Sequence, residues 1–481
     1  MKLSNIKIYE TDDFGQIECL IDKQIGWLKF DKSYLEYVQN TYDGFLVLIL
    51  LIAMKKKKNI EIDGIISYKL YHNITLYLMP LIKIIHPKFH IIKISCKDFD
   101  YGTYYNNTGV GCGLSCGVDS LCCLEDYYFN DCKTYNLTHV TNFNAGSCNN
   151  KETYENRLIN IKNYVNETNL NFLYVDTNFT TINNLDHQYF HMFRNLSIPL
   201  FFQKLFKKYY YGSCFSYFNS KIVKGSGSLT SGETTVIPLL STENLEFILH
   251  GAQYTRVEKT LKISKNELSY KYLDVCVSSQ EYTDTECIIN CSKCYKCLRT
   301  LVTLDYYNII NKYDKVFDIN EYYKYKDIYL NNLVNSNPYD REIKDLYNKN
   351  KDNTTNTTNT INTNNNINNT NNNTKNNNTT NTTNTSNTTN TTNTTNKNTN
   401  NNIDNNIENK LDNIWYAYKQ DWDIINYRQI KAKKNVLIKK NKNIHSDKLD
   451  NNSKKMINEG SILILNDSQD DRNYHMVIID N

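Results

Sequence analysis

Short apolar runs and amphipathic stretches alternate along the first 265 residues of the chain, and this pattern predicts its elements. The stretch Glu152–Thr168 carries Leu158, Ile161 and Val165 at helical spacing, which predicts a helix with one buried face. The runs with the composition of buried strands are Ile60–Ile62, Phe89–Ile94, Val110–Leu114, Leu137–Phe143 and Asn171–Asp176. Strands that alternate with helices predict an α/β fold, with helices on both faces of a parallel sheet and ligands at the carboxyl ends of its strands.

One apolar run, Phe45–Met54, is ten residues long and is followed by Lys55–Lys58. Because about twenty apolar residues are needed to cross a bilayer, we expect a buried helix within Tyr34–Met54 rather than a membrane anchor. Met1–Glu10 has no apolar segment typical of a secretory signal. These features predict a cytoplasmic protein without a membrane partner.

Changes of composition divide the chain into five predicted segments. They are an N-terminal α/β domain at 1–100, a second α/β domain at 105–265, a cysteine-rich and helical segment at 266–350, an Asn/Thr-rich linker at 351–410 and a C-terminal segment of open role at 411–481. The tract Asn353–Asn402 is predicted to be disordered, since it has too little apolar surface to offset the entropy of ordering. In the last segment, Ile414–Ile425 has helical spacing and Ile462–Leu465 resembles a strand.

Charge and cysteine content narrow the function classes. The 55 basic and 51 acidic residues give a net charge of +4, which is too balanced to indicate a nucleic-acid or membrane partner. The one basic stretch, Lys431–Lys442, is interpreted as a solvated segment. Without a route to an oxidising compartment, the 14 cysteines are predicted to be thiols or metal ligands rather than disulfides.

The hexapeptide Ser115–Ser120 follows the apolar run Val110–Leu114 and precedes Leu121–Leu124, which has helical character. A strand, a tight turn and a helix N-terminus form an anion cradle, because free backbone N–H groups and the helix dipole face the ligand. Ser115 and Ser120 add hydroxyl donors, and Gly117 allows a phosphate to approach the backbone closely. A serine-capped helix without a ligand is the alternative.

Cys291, Cys294 and Cys297 follow one another at two-residue gaps, and Cys276 lies fifteen residues upstream of the first. Four thiolates at such spacing predict a closed tetrahedral Zn²⁺ site that stabilises an otherwise irregular segment. An iron–sulfur cluster and a set of buried free thiols are the alternatives. Cys287 is a spare thiol that can replace Cys276 as the fourth ligand.

Taken together, the two motifs resemble those of a known family. Ser-Gly-Gly-x-Asp-Ser is the signature of the PP-loop ATP pyrophosphatases, and Ser115–Ser120 matches it except that Cys116 stands at the first glycine. The cysteine spacing resembles the zinc site of the 7-cyano-7-deazaguanine synthase branch, and Asn290–Thr300 is similar to uncharacterised bacterial PP-loop relatives. The resemblance spans about residues 40–310, including Leu239–Glu243 and Arg256–Lys259.

The resemblance implies a Rossmann-like PP-loop domain and an enzyme that cleaves ATP between its α and β phosphates. AMP is transferred to a carbonyl or carboxylate oxygen of a small molecule, and a nitrogen or sulfur nucleophile then displaces it. The implied nucleotide-binding residues are Ser115, Cys116, Gly117, Val118, Asp119 and Ser120. The implied catalytic residues are Asp119, Ser120, Arg256 and Lys259, with Asp119 positioning the loop or a Mg²⁺ ion. The implied zinc ligands are Cys276, Cys291, Cys294 and Cys297.

Four candidate residues depend on weaker patterns. Arg256 and Lys259 share a helix face at i, i+3 and can neutralise phosphate, or they form a solvated face paired with Glu258. His191 is a candidate substrate contact, with a structural histidine as the alternative. Glu243 is a candidate acid near the predicted strand end 237–240.

Cys116 limits the resemblance, because a side chain there costs roughly 1 kcal/mol if the loop requires a left-handed backbone at this position. Two classes of function therefore remain. The first is an ATP-dependent, AMP-forming enzyme that acts on an unknown small molecule, with a tRNA-thiolating relative as a variant. The second is a catalytically inactive nucleotide-binding or scaffold protein that retains the fold.

Overall fold

The computed structural model describes residues 1–102, 106–130, 135–148, 150–226, 228–277 and 289–348, with backbone only at 187–189, 463–466 and 474–477. The Asn/Thr-rich tract, the predicted helix Ile414–Ile425, the basic stretch Lys431–Lys442 and Cys287 lie outside these residues. The chain divides into two compact units, Met1–Leu346 and Tyr347–Asn481.

Ten strands of the first unit form one sheet. Strands β1–β5 are Lys2–Glu10, Gly15–Ile21, Gln24–Phe30, Ile60–Ser67 and Ile94–Asp100, and strands β6–β10 are Gly109–Gly113, His139–Asn144, Asn171–Thr177, Phe206–Gly212 and Glu246–His250. In the second unit, β11 (Leu463–Asn466) pairs with β12 (Tyr474–Val477) in antiparallel register.

Twelve α-helices are assigned in the described part of the first unit. Helices α1–α6 are Asp43–Lys56, Tyr68–Asn73, Met79–Ile85, Val118–Leu124, Lys151–Asn166 and Phe179–Ile182, and helices α7–α12 are His187–Ser197, Glu233–Val236, Arg256–Ile263, Glu267–Tyr272, Tyr295–Tyr306 and Ile319–Asn331. A further helical stretch covers 338–348. π-Helical turns at Ile74–Leu78 and Glu125–Phe129 extend α2 and α4.

The strand order is β10-β9-β6-β7-β8-β3-β2-β1-β4-β5. Six of the nine neighbouring pairs are parallel, and the antiparallel ones are β1–β2, β2–β3 and β3–β8. The predicted α/β class and largely parallel sheet are confirmed. Strands from the predicted segments 1–100 and 105–265 join this one sheet, through an antiparallel β1–β3 meander that the sequence pattern did not indicate.

The two faces of the sheet are both covered, as β6 shows. Val110 and Cys112 are buried on one face, while Gly111 on the other packs so closely that a Cβ there would lie 2.7 Å from the Phe206 ring. Phe206 belongs to the main apolar core, which includes residues of α1 and α7. Helices α4, α9 and α11 pack on one another outside that core cluster.

Helix α1 is buried along almost its whole length, from Asp43 to Met54. The prediction of a buried helix at Phe45–Met54 is therefore confirmed, although the helix begins at Asp43 and a 3-10 turn occupies Lys32–Tyr37. Among the helices in the described part of the chain, none has the length and apolar character needed to cross a membrane.

Two predicted strands are wrong in position. The run Phe89–Ile94 leads into β5, which begins only at Ile94, and Phe89 and Ile92 are buried in the apolar core before strand pairing starts. Residues 237–240 form no strand, because Pro238 begins a 3-10 turn and supplies no N–H to a ladder.

Candidate functional site

The hexapeptide lies at the point where the sheet changes its winding direction. The chain runs from β6 outward through β7 and β8, then crosses back to β9 and β10 on the other side of β6. The carboxyl ends of β6 and β9 therefore border a crevice, which is where open α/β sheets bind ligands. The Ser115–Ser120 loop follows β6 directly and leads into α4.

Hydrogen bonds within the loop hold its shape. Ser120 Oγ donates to the Gly117 carbonyl at 3.0 Å and accepts from the Ser115 N–H at 3.3 Å. The Gly117 N–H donates to Ser115 Oγ at 3.3 Å. Cys116 is fully buried and has φ of 54°, which is a left-handed conformation. The PP-loop signature has glycine at this position. The departure from the signature thus falls on a backbone position that favours glycine.

Asp119 is the electrostatic centre of the site. Its carboxylate accepts hydrogen bonds from Arg256 Nη2 and Lys259 Nζ, each at 2.8 Å. Burial alone raises its pKa, but the charges of Arg256 and Lys259 prevail and hold the pKa of Asp119 to about 2. The negative charge of Asp119 in turn overcomes the effect of burial on the Arg256 guanidinium and raises its pKa. The carboxylate serves first as counter-charge to two buried cations.

The position of Lys259 depends on the chain that follows β9 and β10. Its Nζ also donates to the carbonyl of Ser213 at 2.7 Å and to its hydroxyl at 2.9 Å. Gly251 has φ of 88°, and a Cβ there would lie 3.1 Å from the Lys259 Cε. Gly212 likewise leaves room for Asp119, whose Cβ would be 3.1 Å from an added Cβ.

Glu258 does not pair with its helical neighbours. The Thr255 hydroxyl accepts from the Glu258 N–H at 3.2 Å, and the Glu258 carboxylate accepts from the Thr255 N–H at 2.8 Å, which is a capping box. The alternative of a solvated face paired with Glu258 is therefore wrong: Glu258 caps α9, while Arg256 and Lys259 turn to Asp119.

A cavity of about 530 Å³ opens beside the loop. Ser115, Gly117 and Asp119 line it on one side. Its cationic lining residues are Arg157, Arg256, Lys296 and Arg299, and its acidic ones are Asp119 and Asp274. The volume is in the range of small-molecule sites, and the lining carries an excess of positive charge. The arrangement is suited to an anionic ligand.

Two of these cations lie on α11. The Arg299 guanidinium is 4.1 Å from the centre of the Tyr339 ring, and Tyr339 donates its hydroxyl to the Cys214 carbonyl at 2.8 Å. Burial and the neighbouring charge of Arg256 lower the pKa of Arg299. Burial and the charges of Arg299 and Arg256 lower that of Lys296. The positive charges of Arg256, Lys296 and Arg299 thus oppose one another, and a bound anion would offset this repulsion.

The four cysteines come together at one point. Their sulfurs lie within 4.8 Å of one another, with 3.4 Å between Cys294 and Cys297, 3.9 Å between Cys291 and Cys297 and 4.0 Å between Cys276 and Cys294. Four thiolates 2.3 Å from a tetrahedral ion would be separated by about 3.8 Å. The predicted Cys276 is the fourth member, and the cluster can bind a metal ion such as zinc.

A buried asparagine joins Cys276 to the other three cysteines. Asn290 Oδ1 accepts from the N–H groups of Val275 and Cys276 at 2.8 and 3.1 Å, and its Nδ2 donates to the carbonyls of Leu273 and Val316. Because every donor and acceptor of this buried amide is used, the segment carrying Cys276 is fixed beside Cys291.

The same segment reaches the loop. The Asp274 N–H donates to the Cys116 carbonyl at 2.9 Å, and the Asp274 carboxylate pairs with Arg157 Nε at 3.1 Å. Arg157 Nη2 also donates to the Cys276 carbonyl at 2.6 Å. One short stretch of chain therefore connects the cysteine cluster, helix α5 and the hexapeptide.

The two remaining predicted candidates, His191 and Glu243, lie in different parts of the molecule. His191 lines the cavity, and its ring lies 6.3 Å from the ring of Tyr211. Glu243 is not among the cavity-lining residues; its carboxylate accepts from the Lys69 N–H at 2.6 Å, beside the first turn of α2. The structure thus brings His191, and not Glu243, to the site.

Several residues that line the cavity were not predicted from the sequence. Lys296 and Arg299 lie within the family-like string Asn290–Thr300 and repeat the i, i+3 spacing of Arg256 and Lys259, a signal that was present but unused. Arg157, Asp274 and Tyr339 reach the cavity only through tertiary packing, and no local pattern marks them. Outside the cavity lining, the buried Glu233, whose carboxylate accepts from the Cys214 N–H at 2.7 Å, was also not predicted.

No protein-family model, curated protein or solved structure matches this chain.

Proposed function

We propose that the protein is an ATP-dependent, AMP- and pyrophosphate-forming enzyme of the PP-loop type. The observation that supports it most is the position of Ser115–Ser120 at the switch point of the sheet, open to a cavity with four cationic lining residues. Preorganised N–H groups, hydroxyls and cations are what a departing pyrophosphate requires, because its charge grows as the bond to the α-phosphorus breaks. Each of these groups is present along the loop and cavity wall.

In the proposed reaction, an oxygen of the small-molecule substrate attacks the α-phosphorus of ATP, and the bond from that phosphorus to the bridging oxygen of the β-phosphate breaks. Ser115, Gly117 and Ser120 hold the pyrophosphate that leaves, and Arg256 offsets its charge. A nitrogen or sulfur nucleophile then displaces AMP from the substrate. Asp119 keeps Arg256 and Lys259 aimed at the loop, which is a positioning role. Mg²⁺ belongs to the proposal as the ion that accompanies ATP.

The cysteine cluster is proposed to hold structural Zn²⁺. Mutual sulfur separations within 4.8 Å support one ion bound by all four thiolates. In an iron–sulfur cluster, thiolates ligate different iron atoms and so lie farther apart, which the close grouping disfavours. A backbone N–H of Cys294 also donates to Cys291 Sγ at 3.3 Å, a contact that favours the thiolate. Metal analysis of the purified protein tests this assignment; zinc at one per chain is expected.

The test of the enzymatic proposal is conversion of ATP to AMP and pyrophosphate, with Gly117→Ala as the variant. A Cβ on Gly117 would lie 3.2 Å from Ser115 Oγ and 3.3 Å from the Asp274 carbonyl, so it narrows the approach of a phosphate without removing a charge. Gly113→Ala is the matched control, because its Cβ meets only the Tyr209 hydroxyl at 3.6 Å. We expect Gly117→Ala to weaken ATP binding about tenfold and Gly113→Ala to leave it unchanged.

A specific observation favours the second candidate, a nucleotide-binding protein without catalysis. The buried Cys116 adds a side chain at the left-handed position of the loop. ATP binding with no AMP formation in the presence of metabolite extracts would support this candidate. Absence of ATP binding by the wild-type chain would contradict both.

A further inference from the structure

Two of the four cavity cations have no ion-pair partner within the described residues. Arg157 pairs with Asp274, and Arg256 pairs with Asp119. Within the described residues, no hydrogen bond or ion pair joins the side chains of Lys296 or Arg299 to a partner, although both line the cavity. A buried cation without an anion is costly, so its retention points to a ligand that supplies the charge.

Arg299 is the stronger member of the pair. It is only 7% exposed, and its Nε is buried without a hydrogen-bond partner. Its guanidinium lies against the Tyr339 ring at 4.1 Å, and Phe215 stacks with the same ring at 5.5 Å. Stacking leaves the in-plane N–H donors directed away from the ring, in the fork geometry that suits an oxyanion.

Lys296 and Arg299 are placed by the start of α11. Cys294 is the N-cap of this twelve-residue helix, and Cys297 lies one turn further on. Lys296 therefore lies between two of the four cluster thiols in the first turn, Arg299 follows two residues after Cys297, and the helix dipole adds positive potential near both. Binding of a metal by the thiols would hold this turn in place against the cavity.

We propose that Lys296 and Arg299 form an oxyanion subsite of the cavity, separate from the donors of the Ser115–Ser120 loop and held in place by the cysteine cluster. This builds on the proposed function, since both concern the same cavity. The oxyanion is either the β- and γ-phosphate end of the nucleotide or a carboxylate of the second substrate. Both present two or more oxygens that a guanidinium and an ammonium can bind together.

Isothermal titration of the zinc-loaded full chain tests the subsite with two probes, inorganic pyrophosphate and malonate. The variants are Arg299→Met and Lys296→Met, with Lys293→Met as the matched control. Lys293 lies just before α11, between Cys291 and Cys294. Its side chain is exposed, pairs with Glu321 at 3.4 Å and does not line the cavity. We expect each cavity variant to weaken binding of one probe about tenfold or more, and Lys293→Met to change it less than about twofold.

The probe that is affected identifies the source of the oxyanion. Weaker pyrophosphate binding assigns the subsite to the nucleotide, and weaker malonate binding assigns it to a carboxylate substrate. Unchanged binding of both probes in Arg299→Met overturns the proposal. Arg299→Lys, which retains the charge and not the fork, serves as a second variant if Arg299→Met does not fold, and an intermediate loss is expected from it.

Two comparisons keep this result separate from the proposed function. If Gly117→Ala weakens pyrophosphate binding while Arg299→Met weakens the binding of neither probe, the loop stands and the subsite is wrong. If only Arg299→Met weakens pyrophosphate binding, the subsite stands and the loop has another role.

Removal of the metal by a chelator is expected to weaken probe binding by a similar factor. Folded metal-free protein that binds the probes as tightly as the loaded chain would overturn the role given to the cysteine cluster.

Discussion

Helices α9 and α11 each present two cations one turn apart to the same region, but only the α9 pair has a carboxylate between its charges. Asp119 bonds to both Arg256 and Lys259, whereas no ion pair joins Lys296 or Arg299 to an acid within the described residues. The first pair is a closed unit that stabilises the fold around the loop. The second is open, and the difference separates cations that the fold itself compensates from cations for which a ligand is the proposed counter-charge.

The largest effect is expected when the closed unit is broken. Asp119→Asn leaves Lys259, whose side chain is 2% exposed, and Arg256, at 9%, without a counter-charge. We expect the free energy of unfolding to fall by about 3 to 5 kcal/mol, measured by urea denaturation followed by circular dichroism. A loss below about 1 kcal/mol would show that the pair is not electrostatically coupled to the fold.

The pH dependence of this loss has a definite sign. The folded pKa of Asp119 is about 2, below its unfolded value, so the charge stabilises the folded state fully above about pH 4 and less as the pH falls toward 2. Wild type and Asp119→Asn should therefore converge in acid. Glu167→Gln is the control, because its partner Lys271 is 44% exposed and removal of that pair should cost less than about 1 kcal/mol.

Glu233 provides the next test, as an acid without a cation of its own. It is 1% exposed, and burial raises its pKa to about 8 even though it accepts backbone N–H bonds from Phe215 and Cys214. A folded pKa above the unfolded one means that the free energy of unfolding falls as pH rises from about 5 to 8, by about 3 kcal/mol in total. Glu233→Gln keeps both acceptor contacts and should abolish this slope.

The measurement is urea denaturation at several pH values between 5 and 8.5. Asp119 remains charged throughout that range, so it contributes no slope there. An equal slope in wild type and Glu233→Gln would mean that Glu233 titrates at its ordinary pKa in the folded protein. The signs expected for Asp119 and Glu233 are opposite, which extends the contrast between compensated and uncompensated charges.

The sequence pattern located the parallel strands β4, β6, β7 and β8, because each contains a short apolar run, but it misplaced the start of β5 and did not indicate β9 or β10. The β1–β3 meander escaped because a strand such as Lys2–Glu10 mixes polar and apolar residues, and only its neighbours decide how it pairs. The hexapeptide and the four cysteines were recognisable, since their chemistry depends on short spacing. The partners of Asp119 were among the candidates, but Tyr339 comes from more than 200 residues beyond the loop and carries no local signal.

A smaller effect, of reversed sign, is expected in the open pair. Arg299→Met removes a buried cation that forms no ion pair within the described residues and replaces it with an apolar chain. We expect the free energy of unfolding to rise by about 1 kcal/mol, as replacing uncompensated buried charge often does. Lys259→Met is the matched change in the closed pair and should lower it by about 2 kcal/mol. A loss of stability in both variants would mean that Arg299 has a structural role as well.

The smallest effect is expected at Cys116, where two contributions nearly cancel. Cys116→Gly relieves the cost of a left-handed backbone, about 1 kcal/mol, at φ of 54°. It also removes a fully buried side chain and gives the unfolded chain more freedom, which together cost about as much. Urea denaturation should therefore show a change within about 1 kcal/mol, so that any gain in AMP formation by Cys116→Gly reports on the loop itself rather than on the fold. A gain in stability of 2 kcal/mol or more would instead show that the thiol strains the loop by more than backbone preference alone.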